Sequence, residues 1–331
     1  MKGRVFMCYK DEVQRKNAEK LQRKLDEYNV SDLIRRYFIN MKSWASALNF
    51  WSAIKNFLLW MIEHNKIKKE SIADIELCDF YEIEPEDITL YLRDKEADGI
   101  SPTTLQTRKN ILKSFWEYLI RQKKSEIRDD FFKDVSYSGV YSNNNLIRKL
   151  PSDEQIEKME EKIKKKKDEF VRFRNLVILD VLKGTGLREA ELAGLDMSDI
   201  HLGEEMPYVV VLGKGKYYTQ QSRIVYLTGS ATKSMEEWLL FRKKMKNVVD
   251  TEAVFINKNG KRFTEGNIQS MFKTYGNGIT PHMLRHWYAT VISNKGNLVF
   301  AQQQLGHSSY ITTTNNYVNG AYGMKDTLKN M

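Results

Sequence analysis

Residues 280–317 read TPHMLRHWYATVISNKGNLVFAQQQLGHSSYITTTNNY, and this stretch decides how the rest of the chain is read. It holds three of the chain's five histidines. Pro281 stands where the first turn of a helix tolerates proline, because its fixed φ suits that position and its missing N–H is not needed there. His282 and Arg285 then fall three apart, a spacing that puts them on one helical face. Met283, Leu284, Trp287, Ala289, Val291 and Ile292 are expected to supply the buried side. Val299 to Leu305 reads as a second helix, stopped by Gly306 as a left-handed cap. His307 follows that glycine, and Tyr317 lies ten residues on, after a Thr/Asn-rich turn.

Such a polar set suits phosphoryl chemistry. Arginine clamps two phosphate oxygens with a planar fork. Histidine donates or relays a proton near neutral pH. Tyrosine can attack phosphorus and hold a covalent intermediate.

The bulk composition narrows the partner. The chain has 331 residues, which suggests about two domains. Lys and Arg total 53 against 43 Asp and Glu, a formal charge of +10 that favours a polyanion, nucleic acid ahead of a membrane surface. Two cysteines exclude a disulfide framework and most cysteine metal sites. The opening MKGRVFMCYKDEVQRK lacks the apolar core of a signal peptide. No run approaches the ~18 apolar residues of a membrane-spanning helix. The expectation is a reduced, cytoplasmic protein with no membrane partner.

The first half reads as helical. Glu12 to Tyr28 is expected to be a surface helix. Leu33, Ile34, Tyr37, Phe38 and Met41 share a face, and Ala47, Leu48, Trp51, Ile54, Leu58, Met61 and Ile62 continue it at period 3.6, with a break at Ser43. Glu84-Pro85-Glu86-Asp87 opens a helix that runs to about Ala97. Ser101-Pro102 caps another that runs to about Lys123 and buries Leu105, Leu112, Phe115, Trp116 and Leu119. Its polar face, Thr104, Arg108 and Lys109, is the candidate contact with DNA phosphates. Residues 136–149 are rich in Ser, Asn and Tyr without periodicity and read as a linker.

Chemistry returns in the second half. Ser152 with Gln155 marks a capping box at the start of a helix over 151–170, and Val171 to Leu182 is a further, apolar helix. It ends in Gly184-Thr185-Gly186, a tight turn before a helix that begins near Arg188, with Glu191 three residues on. The glycines do not make a nucleotide loop, because no G-x-x-x-x-G-K-[ST] is present. Tyr208 to Leu212 and Arg223 to Leu227 are β-branched runs either side of Gly213-Lys214-Gly215-Lys216, a hairpin signature. An ammonium at such a tip could protonate a leaving oxygen. Phe255 to Phe263 reads as another small hairpin around Asn259-Gly260.

GTGLREAEL, LGKGK, PHMLRHWYAT, LGHSS and Tyr317, in that order, resemble the tyrosine recombinases, or phage-integrase family. The resemblance covers roughly 150–320; residues 31–125 resemble the family's core-binding domain more weakly. It implies a mainly α fold with a small β-sheet, a helical, SAM-like core-binding domain and a catalytic domain. The expected boundaries are an extension over 1–30, the core-binding domain over 31–135, a linker over 136–150, and the catalytic domain with its tail over 151–331.

In residue terms the resemblance makes Arg188 and Arg285 the clamping arginines and Lys214 the general acid, with Lys216 as its substitute. His282 and His307 are the two site histidines, Tyr317 the nucleophile, and Glu191 the carboxylate that orients the first arginine. His64, His201 and His286 are expected to be structural. In many members the nucleophile lies nine residues after the second histidine, but position 316 is Asn. The ten-residue spacing of Tyr317 also occurs in mobile-element integrases, and Tyr310 and Tyr322 are the competing tyrosines.

The implied reaction cuts and rejoins DNA through a 3′-phosphotyrosine, with no metal, ATP or other cofactor. The implied partners are double-stranded DNA, three further copies forming a tetramer on two DNA sites, and a directionality factor. Integration and excision of a mobile element is the first reading. Xer-like dimer resolution, type IB topoisomerase activity, and DNA binding without catalysis are the alternatives.

Overall fold

The computed structural model describes residues 9–41, 43–122, 125–137, 150–212, 222–294 and 298–306. The chain divides into two units, Met1–Asn143 and Asn144–Met331. Lys214, Lys216, His307, Tyr310, Tyr317, Tyr322 and most of the expected linker lie outside the described residues.

The first unit is helical. Its helices are α1 (Tyr9–Glu27), α2 (Asp32–Ile39), α3 (Trp44–Glu63), α4 (Pro85–Ala97) and α5 (Pro102–Ile120). Ser43 is the expected break: its hydroxyl accepts the Ser46 N–H and caps α3. α3 is buried on more than one side. Trp51, Ile54, Leu58 and Met61 are joined inside by Phe57 and Trp60, which the period-3.6 stripe leaves out. The reason is position, since α1 and α5 both pack on α3.

α1 differs from the expected surface helix. Leu21 and Leu25 are buried in the unit's core, and the Arg35 guanidinium ties the end of α1 to α2 through the carbonyls of Leu25 and Val30. On α5, Leu105, Leu112, Phe115, Trp116 and Leu119 are all buried, as the pattern predicts. Trp116 stacks on Phe131 at 5.0 Å and meets Phe57 edge-on at 5.7 Å. Residues 125–137 therefore fold back onto the unit, and Val135 and Tyr137 are buried with it.

The second unit is mainly α with a small sheet. It holds α6 (Asp153–Lys164), α7 (Glu169–Thr185), α8 (Glu189–Ala193), α9 (Gly229–Lys243), α10 (Glu265–Tyr275), α11 (Pro281–Asn294) and α12 (Leu298–Leu305). The Ser152–Gln155 capping box forms, but the first helix stops at Lys164 rather than running to 170. Asp168 interrupts it by capping α7 through the Val171 N–H.

The hairpin is present as β2 (Tyr208–Leu212) and β3 (Ser222–Tyr226), antiparallel with Val209 opposite Val225. β1 (Ile200–His201), which the sequence did not predict, adds to the other edge of β2. The turn around Asn259-Gly260 closes with an Ile256–Arg262 bridge, and Gly260 takes φ +71°.

α7 packs on α9 and α11, and α12 packs on α11 and β3. This brings the ends of α7 and α12, the start of α8 and the inner face of β3 together.

Candidate active site

The site is built from helix ends. α7 closes on Gly186, which takes the left-handed φ of +64°. A Cβ there would sit 2.4 Å from a ring carbon of Tyr288, so both the backbone and the space require glycine. The turn delivers Arg188 to the N-cap of α8. One turn into the helix, Glu191 reaches back: its Oε2 accepts the Arg188 backbone N–H at 2.9 Å, and its Oε1 accepts the Arg188 side chain at 2.8 Å. The far end of α8 is anchored too, because Arg262 donates to the carbonyls of Ala193 and Leu195.

Glu191 is buried and still ionised. Burial alone would push its pKa up, but the Arg223 guanidinium, with Arg188, outweighs that and holds the carboxyl at about 2. Arg223 lies on β3 and is bidentate to Glu191, with both contacts at 2.9 Å. Arg285 approaches the same carboxylate at 3.9 Å. Three guanidinium charges therefore surround one carboxylate. The surplus of positive charge suits an anionic phosphodiester.

Arg285 gathers the motifs. It is 2% exposed, and its guanidinium donates to the Gly186 carbonyl at 2.6 Å and to that of Leu305, the last residue of α12. The GTGLRE turn, the PHMLRH helix and the helix before LGH thus meet on one side chain. Gly306 ends α12 with φ +62°, as expected of a left-handed cap, and His307 is the next residue.

α11 starts as predicted, with Pro281 in the first turn and the Thr280 hydroxyl accepting the Met283 N–H. Its buried face is not the one expected. Arg285, His286 and Tyr288 are inside with Leu284 and Ala289, whereas Met283, Trp287, Val291 and Ile292 are only half-buried. His282 is exposed, so it and Arg285 share a helix but differ in solvent access; its ring meets His286 edge-on at 4.5 Å.

The residues proposed to touch DNA from α5 fare unevenly. Thr104 is exposed, with its hydroxyl 2.8 Å from that of Ser101, and Arg108 is half-buried. The Lys109 ammonium instead donates to the carbonyls of Val135 and Tyr137, at 2.8 and 2.9 Å, and its burial lowers its pKa. It ties the folded-back segment to α5.

Residues 152–323, more than half of the chain, match the model of the phage integrase family. The chain belongs to that family. Among relatives of this phage integrase family member, the tyrosine recombinase XerC of Salmonella typhi is 31% identical over 222 residues, covering 65% of this chain and 69% of XerC. XerC of Vibrio cholerae serotype O1 (strain M66-2) is 29% identical over 225 residues, covering 66% and 68%. Among solved structures, XerH bound to palindromic difH substrate matches with a TM-score of 0.59 at 24% identity, covering 80% of this chain and 76% of that one. A lambda integrase tetramer bound to a Holliday junction matches with a TM-score of 0.60 at 16% identity, covering 88% and 80%. The fold is that of the tyrosine recombinases, and the chain is a site-specific recombinase.

Proposed function

We propose that this recombinase cuts and rejoins duplex DNA through a 3′-phosphotyrosine, and that it serves the integration and excision of a mobile element. The observation that carries the chemistry is the meeting of Arg188 and Arg285 around Glu191 at the ends of α7 and α12. Two arginines held by helix ends are fixed donors for the charge that gathers on phosphorane oxygens. Losing one such donor typically costs about 2.7–4 kcal/mol of barrier.

In this reading the Tyr317 phenol gives its proton to a site histidine as its oxygen attacks the scissile phosphorus. The bond to the 5′ oxygen breaks, Lys214 gives that oxygen its proton, and a 3′-phosphotyrosyl link remains. His282 and His307 hydrogen-bond the phosphate oxygens. A 5′ hydroxyl of the partner duplex then attacks the link, the new phosphodiester forms, and Tyr317 is released as the phenol. The bond energy stays in the phosphotyrosine throughout. Strand exchange takes four copies on two sites, in line with the lambda integrase tetramer on a Holliday junction.

The ten-residue spacing from His307 to Tyr317 supports the mobile-element role, and the Tn1549 transposon integrase is among the structures of similar fold. Xer-type dimer resolution is the second reading, favoured by the XerC relatives. A nicked suicide duplex carrying the DNA that flanks the chain's own gene tests the chemistry. A covalent protein–DNA adduct should form, map to Tyr317 and vanish in Tyr317→Phe. An adduct that survives that change, or none with the unaltered protein, sinks the reading. A plasmid bearing two sites then separates the roles. Excised circles mark integration and excision, dimer-to-monomer conversion marks resolution, and relaxation without recombinants marks a topoisomerase.

A further inference from the structure

Arg223 has no part in the set implied by the family resemblance, yet it is among the most fully engaged side chains of the site. All three guanidinium nitrogens are used. Nη1 and Nη2 grip the two oxygens of Glu191, and Nε donates to the Gln304 carbonyl at 3.1 Å. Gln304, buried on α12, closes the other side. Its amide donates to the Tyr226 carbonyl at 3.0 Å and accepts the Tyr226 N–H at 2.9 Å, while also reaching the Tyr288 hydroxyl at 3.2 Å. A Cβ on Gly306 would lie 2.9 Å from Arg223, so the chain before His307 passes directly against this guanidinium.

We propose that Arg223 is a positioning residue for strand cleavage: its fork fixes the Glu191 carboxylate, and through it Arg188, while its Nε holds the end of α12 to the same strand. The inference rests on the strand-transfer reading above. The carboxylate accepts from Arg188 and Arg223 on Oε1, and from the Arg188 backbone and Arg223 on Oε2. Without the Arg223 fork, both oxygens would be left to pair with Arg188 and Arg285, the two guanidiniums meant for the phosphate. Opposite charges in contact at a half-buried site attract strongly enough to draw a guanidinium away from its substrate. A lysine at 223 would keep the charge but lose the planar fork and the Nε bond.

The test uses the full chain and the suicide duplex that the unaltered protein cuts. Binding is measured separately from the single-turnover cleavage rate at saturating DNA, below the melting temperature of each variant. Arg223→Lys should bind nearly as the unaltered protein does and cleave on the order of 10²-fold more slowly. Combined with Glu191→Gln, it should be no slower than the slower single variant, because both act through one carboxylate. A Lys variant that cleaves at the unaltered rate overturns the proposal, as does a double variant whose two losses simply multiply. If Arg223→Lys does not fold, Gln304→Met decides: cleavage at the unaltered rate overturns the proposal, and slowed cleavage with intact binding supports it. No adduct from the unaltered protein defeats the strand-transfer reading and this inference with it; an adduct together with an unaffected Lys variant defeats this inference alone.

Discussion

At the scale of the residue, Glu191 links stability to chemistry. Its carboxyl titrates at about 2 in the folded chain against an ordinary 4.5. A depressed carboxyl contributes stability that is full above the unfolded value and is lost as pH falls towards the folded one. The window is therefore pH 4.5 down to about 2, and the amount is roughly 3 kcal/mol. Urea unfolding across that range should show this loss in the unaltered chain and a smaller one in Glu191→Gln. At neutral pH that variant should be less stable by about 3–5 kcal/mol, since it leaves the buried Arg285 and the half-buried Arg188 and Arg223 without their counter-charge. Arg285 makes a parallel case. Arg285→Ala strands the carbonyls of Gly186 and Leu305, each worth about 1–3 kcal/mol when left unpaired, and should lower the melting temperature as well as stop cleavage.

At the scale of the element, the site depends on two left-handed glycines that end helices. Gly186→Ala should cost roughly 1–2 kcal/mol for the backbone alone, and more for the contact with Tyr288, read as a shift in the thermal midpoint. These punctuation marks were legible in the sequence. Glycine after an apolar run, serine before a proline and a glutamate three past an arginine each act within one turn, so spacing exposes them. Arg223 was not legible, because its partner lies 32 residues away in sequence, on a helix. One faint sign existed: in Ser222-Arg223-Ile224-Val225, Arg223 falls on the inward side with buried Val225, while Ile224 faces out. A charge on the inward side of a short strand asks for a partner. Gln304 gave no sign at all, standing in a run of three glutamines. The buried face of α11 was misread because hydrophobicity alone cannot foresee an arginine satisfied by two carbonyls.

At the scale of the whole molecule, the first unit has its own core from Leu21 to Tyr137. Residues 1–143 expressed alone should melt cooperatively; a broad, featureless transition would count against an independent fold. The +10 charge should make DNA affinity fall steeply with salt, by roughly 10³-fold or more between 50 and 200 mM if six or more phosphates are contacted. A flat salt profile would argue against a backbone-led grip. Gln304 carries a consequence beyond strand cleavage. β3 borders the sheet, and a bordering strand with open amides and carbonyls invites a foreign strand to join. By engaging both backbone groups of Tyr226, the glutamine head occupies one rung of that ladder. The glutamine thereby seals a place where a second strand could otherwise stick.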